Sequence, residues 1–167
     1  GATSAEIATP LVGDDAYRGN FIDHAITVNA PPEKVWPWLV QLGQDKAGFY
    51  SYDWLERAMG DHIRNKTAIV PAYQHLKKGD LVRAVQPDYL GGRFGRDVGW
   101  RVIRLVPNRD MFMEGWFFWL RPTSDGSTRF AVRTEVGDVP FWAAPIETFA
   151  FEPASYDVLY SRFGVMF

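Results

Sequence analysis

Cysteine is missing from all 167 residues, which removes disulfides, thiolate metal ligands and a thiol nucleophile together and leaves the redox compartment open. Histidine is scarce. His24, His62 and His75 are the full set, and none stands in an HExxH or comparable spacing, so no metal site is expected. Positive charge is not in surplus either. Lys and Arg number 18 against 20 Asp and Glu, a net charge of −2, which offers no bulk field to hold a phosphate backbone, and nucleic acid is not an expected partner. No apolar run is long enough to span a bilayer, so no membrane span is expected in this chain. A cytoplasmic location is the expectation; the first residue is Gly1 rather than Met, and a leader or anchor removed ahead of it is compatible with the sequence.

Familiar chemistry motifs are absent as well. There is no GxSxG elbow to present a serine nucleophile. Gly91-Gly92-Arg93-Phe94-Gly95 lacks both the GxGxxG spacing and the Gly-Lys-Ser/Thr ending of a phosphate loop, and reads as a hairpin loop. No metal or nucleotide cofactor is expected. Repeats, low-complexity tracts and linkers are also lacking, so Gly1 to Asn20 is read as a surface arm and 21–167 as one domain.

What the chain does hold is rings. Aromatics make up 16% of residues within a hydrophobic share of 47%, so large flat side chains either fill the interior or wall a space for a ligand. A chain of this length buries roughly two thirds of its unfolded surface, enough for a single core.

Phe21 to Asn29 alternates, with Ile22, His24, Ile26 and Val28 on one side, as a half-buried strand does. Pro31-Pro32-Glu33 then opens a helix, because a proline in the first turn lacks only an N–H that had no partner. Val35, Trp38, Leu39 and Leu42 give that helix one apolar face, although Pro37 deprives it of a backbone bond. Ser51 can cap a second helix closed by Gly60. Strands follow near Leu81 to Gln86, Val98 to Val106, Met111 to Glu114, Trp116 to Arg121 and Thr128 to Val136, joined by short turns that imply antiparallel neighbours. Pro153 opens a last helix carrying Tyr156, Leu159, Tyr160 and Phe163 on one face. Strand, two helices, several strands and a helix is an α+β order, solved by one curved antiparallel sheet with its helices gathered on one face.

Three stretches, Ala25 to Gly43 (AITVNAPPEKVWPWLVQLG), Ala47 to Glu56 (AGFYSYDWLE) and Pro71 to Val82 (PAYQHLKKGDLV), are similar to the START-like superfamily, also described as Bet v 1-like or polyketide cyclase-like proteins. Within it they resemble a bacterial branch of uncharacterised members. The resemblance implies the helix-grip fold, a sheet of about seven strands wrapped around a C-terminal helix with a cavity between them for a lipid-like or polycyclic molecule. Carriers, receptors, cyclases and oxygenase components share that fold, so it implies a pocket rather than a reaction. Gly164 falls in the last turn where the family's closing helix runs on, so one pocket wall is expected to be short or completed from elsewhere.

The expected lining residues are Tyr50 and Tyr52 between the first two helices, Trp100, Trp116 and Phe118 on strands, and Tyr156 and Phe163 on the last helix. Rings with polar tips suit the orientation of a mostly apolar ligand. Three functions remain open on this reading. The first is non-catalytic binding of a small hydrophobic molecule. The second is a cyclase or dehydratase using the same cavity, with Glu114 or His24 moving a proton; Glu114 interrupts an otherwise apolar run and would have a raised pKa if desolvated. The third is an interaction domain, with a homodimer as one assembly it allows, whose cavity is filled and whose two-sided apolar strands from Met111 to Leu120 form an interface. Asp53 and Glu56 are read as a solvated helix face, His62 and His75 as surface residues, and Arg133 as a surface charge.

Overall fold

The computed structural model describes residues 1–11, 20–50, 53–58, 60–93 and 96–136, without the side chains of residues 20, 53, 55, 56 and 136. Six strands form one antiparallel sheet, β1 (Asn20–Val28), β2 (Leu81–Arg83), β3 (Gly99–Val106), β4 (Asp110–Met113), β5 (Trp116–Pro122) and β6 (Thr128–Val136). Their spatial order is β1-β6-β5-β4-β3-β2. Consecutive strands from β2 to β6 are neighbours, β3 to β6 through short turns and β2 to β3 across the longer segment 84–98, and β1 closes the order by pairing with β6 along its full length. Helices are few and short, α1 (Ser4–Ile7), α2 (Pro32–Val40) and α3 (Asp53–Ala58). The class is therefore α+β, with six strands among the described residues against the seven expected. The last helix, with Tyr156 and Phe163, lies outside the described residues, as does Tyr52.

The register sets which side chains share a face. Ile22, His24, Ile26 and Val28 stand opposite Thr134, Val132, Phe130 and Thr128, and Val132 and Phe130 stand opposite Phe118 and Leu120. That inner face packs on Val35, Trp38, Leu39 and Leu42 from α2 and the residues just after it, all buried. Pro37 sits inside α2, where its own carbonyl accepts from Gln74 Nε2 at 3.0 Å.

The other face is also apolar. Phe112, Phe117, Trp119, Ala25 and Ala131 form a second cluster with Leu11. Gly1 to Leu11 runs over this face and is tied down to it. Arg129 holds Glu6 through Nε at 2.6 Å and the Gly1 carbonyl at 2.5 Å. Arg133 donates to the carbonyls of Thr9, Ile7 and Glu6.

This corrects two expectations. Arg133 does point away from the inner face, as the alternation requires, yet it is only 4% exposed because the N-terminal segment covers it. The two-sided strands from Met111 to Leu120 obtain their second cover from within the chain, with Phe112, Phe117 and Trp119 all buried. An intermolecular interface is not required to shield them.

Candidate aromatic binding site

Across the inner face from β3 to β6, rings collect in one group. Trp116 lies 4.7 Å from Trp100 and 4.7 Å from Phe118 between ring centroids. Phe49 closes the group from the loop after α2, at 5.9 Å from Trp100 and 6.0 Å from Trp116. Phe118 in turn stacks on Phe130 at 6.0 Å, with the planes 9° apart. The inner members, Phe118 and Phe130, are fully buried. Phe49, Trp100 and Trp116 are only half-buried and pack against the core as its margin. Tilted and edge contacts at these distances are favourable for ring quadrupoles.

The loop that carries Phe49 is built to hold it there. Gly43 and Gly48 pair as an isolated bridge, and Gly48 adopts φ of 76°, a region that glycine enters without steric cost. A Cβ on Gly48 would collide with the side chain of Asn65. Asn65 uses that close approach to accept from the Tyr50 N–H at 2.6 Å, which fixes the backbone one residue beyond Phe49.

Tyr50 takes a packing role rather than the lining role expected of it. It is 1% exposed, its ring meets Trp38 edge-on at 5.8 Å, and its hydroxyl is committed. The hydroxyl donates to the Trp38 carbonyl at 3.0 Å and accepts from Gln41 Nε2 at 2.7 Å. Gln41, fully buried, accepts through Oε1 from Val70 N–H and Gln74 Nε2. This network ties the end of α2 to the irregular segment before β2, so the polar tip of Tyr50 serves the scaffold.

Among the other expected site residues, Trp100, Trp116 and Phe118 are brought together. His24 is half-buried and shares the Val132–Phe118 row of the same face. Glu114 is not in this site. It is exposed, in the turn between β4 and β5, where its N–H donates to the Arg101 carbonyl at 3.0 Å. The run around it is apolar on both faces, but the turn swings Glu114 into water, and the desolvation on which its catalytic candidacy depended is not there. His62 and His75 are exposed. Asp53 and Glu56 belong to α3, with their side chains outside those described. No group of three metal-ligating side chains occurs among the described residues.

Phe49 is the member that sequence reasoning missed. It stands in an aromatic stretch whose tyrosines drew attention by their polar tips. The usable signal was Gly48, since a glycine with a restricted loop on both sides allows its neighbour to be turned onto the sheet.

A separate open cleft of about 340 Å³ lies between the start of α2 and the turns at the far end of β5, against Pro31, Pro32, Arg109, Leu120, Arg121 and Gly126. None of the expected site residues lines it. The arginines at its edge are engaged by the buried carboxylate of Asp110, Arg121 at 2.9 Å and Arg109 at 3.5 Å.

No protein-family model matches the sequence, and comparison with curated proteins gives no match either. Among solved structures, protein CV1439 from Chromobacterium violaceum superposes with a TM-score of 0.44 at 13% identity, over 88% of this chain and 96% of that one. Protein MLL2253 from Mesorhizobium loti superposes with a TM-score of 0.46 at 15% identity, over 89% of this chain and 99% of that one. Likeness at this level assigns neither family nor activity. Among the described residues, no helix is long and apolar enough to cross a membrane.

Proposed function

We propose that the chain binds a small, largely apolar molecule against the aromatic margin of its inner sheet face, as the resemblance to START-like helix-grip proteins implies. The observation that carries the reading is the contiguous ring group of Phe49, Trp100, Trp116 and Phe118, whose outer members are half-buried at the margin of the core. Apolar contact drives such binding, with each Å² of apolar surface removed from water contributing about 25 cal/mol. A flat or polycyclic ligand matches flat walls best, because stacking adds to area burial.

Native mass spectrometry of protein purified from cells is expected to show a co-purified lipid or polycycle, and a lipid and sterol panel to raise the melting temperature. A clean apo mass with no member of the panel shifting the melt overturns the reading. Trp100→Ala is expected to weaken any such ligand at least tenfold.

A catalytic variant of the same reading, of the cyclase or dehydratase type, keeps His24 as its proton carrier, since His24 occupies the same sheet face as Phe118. His24→Ala would then abolish turnover of a candidate polyketide and leave its binding intact. Unchanged turnover removes His24 from the mechanism.

A further inference from the structure

Nearly every shielded polar side-chain atom among the described residues is hydrogen-bonded; the exceptions are Asp61 Oδ1 and Trp116 Nε1. Asp61 lies in the loop after α3, apart from the ring group. Trp116 is the ring at its centre. Its indole N–H is turned away from water and has no hydrogen-bond acceptor among the described residues, although the ring itself is only half-buried. Around it stand Phe49, Trp100 and Phe118, with centroids at 6.0, 4.7 and 4.7 Å. Phe49 and Phe118 offer no acceptor atom, and Trp100 has only an indole donor of its own.

Leaving a shielded donor unpaired costs more than an ordinary hydrogen bond contributes, because its hydration is lost and nothing replaces it. Tryptophan is therefore a poor choice for this position as packing alone, since phenylalanine fills a flat site with no such cost. Indole earns its place if an acceptor arrives with something that occupies the site.

Resting on the binding reading above, we propose that Trp116 Nε1 is the polar selector of the site, and that the favoured ligand is an apolar ring or chain bearing a neutral acceptor, a carbonyl or ether oxygen, set where it meets that N–H. The hydrocarbon part lies on Phe49 and Trp100. The acceptor supplies the partner that Trp116 Nε1 lacks among the described residues. An acid is a poorer match than a neutral oxygen, because the ring group supplies no cation to balance a charge brought out of water.

1-Tetralone and tetralin share a bicyclic skeleton and differ in one carbonyl, so they separate the donor from the rings. Affinities for both are measured by ligand-observed NMR on the full chain and on Trp116→Phe, which keeps a ring and removes the donor. The ratio of tetralone to tetralin affinity is expected to fall about tenfold in the variant, with tetralin changing by less than threefold. In the wild-type chain, one indole N–H resonance is expected to move downfield with tetralone and to stay in place with tetralin, a readout that does not depend on the variant folding. If both bicycles bind but the ratio is unchanged by the substitution and no indole signal distinguishes them, the selector role is overturned while the apolar site stands. If neither binds the wild-type chain, the site and its selector fall together.

Discussion

Arg133 and Asp23 face each other across the β1–β6 pair, and the guanidinium donates from Nε to the carboxylate at 2.8 Å with the two side chains only 5% and 10% exposed. The guanidinium carbon also lies 5.6 Å from the Phe21 ring centre and 5.8 Å from that of Trp119. One cation thus joins a carboxylate, two rings and the carbonyls of the N-terminal segment.

Arg133→Ala removes the guanidinium from Asp23 and a donor from each of three carbonyls, and breaking a buried pair by removing one partner costs about 3–5 kcal/mol. The urea midpoint should fall accordingly, and amide exchange in residues 3–9 should accelerate by a larger factor than exchange in β4. Equal acceleration everywhere would show that the arginine does not specifically hold the segment down.

Glu6 gives the same docking a dependence on pH. Arg129's hydrogen bonds, with help from Thr3, hold its pKa down to about 2 from the usual 4.5, against the opposing effect of burial. A depressed carboxylate contributes stability that is fully present above the unfolded value and is lost as pH falls through the folded one. The stability gap between wild type and Glu6→Gln is therefore expected to hold at neutral pH and to close between about pH 4.5 and 2. A gap that persists unchanged to pH 2 would contradict the ion pair.

Asp61 behaves in the opposite sense. It is 4% exposed, Oδ1 lacks a partner, and burial raises its pKa above the usual 3.8, with neighbouring backbone amides pulling it only partly back. The folded state holds the proton more tightly than the unfolded one, so the group favours folding at low pH and this contribution is lost as pH rises through the folded pKa. Asp61→Asn is expected to be more stable than wild type at pH 7, with the advantage shrinking at pH 4. Urea melts of both proteins at the two pH values test this, and a variant less stable at pH 7 would refute it.

Tyr50→Phe removes the hydroxyl that bridges Trp38 and Gln41 and should cost about 1–2 kcal/mol of stability. Because that hydroxyl faces the scaffold, the affinity for any ligand on the ring group should stay within twofold. A large loss of affinity with unchanged stability would return Tyr50 to the site lining.

Gly48→Ala meets both a positive φ and the Asn65 side chain. It is expected to destabilise the protein by more than the roughly 1 kcal/mol typical of a point substitution. The Phe49 contact with Trp100 should loosen with it, seen as weaker ligand binding than in a Tyr50→Phe protein of comparable stability. Retained stability and binding would mean that the loop can shift without cost.

Strand positions and the inner face were legible in the chain because period-two alternation is a local property. β6 begins and ends where alternation places it, β1 is displaced by one residue, and Ile22, His24, Ile26 and Val28 share a face as read. The apolar stripe of α2 likewise needs only the helical period, and its four residues are buried. β2 ends sooner than expected, at Arg83, since Gln86 is drawn off to bond Gly60 and His62, a partner choice set at a distance of 24 or more residues.

By itself the sequence determined the α+β class, the antiparallel order of its later strands and a surplus of rings, because each follows from spacing between near neighbours. Only the tertiary structure decided that Arg133 is buried, that Glu114 is in water, that Tyr50 supports rather than lines, and that Phe49 joins Trp100 and Trp116. Alternation says which side of a sheet a residue occupies, but what covers that side comes from segments far along the chain, and burial, charge environment and access depend on the cover.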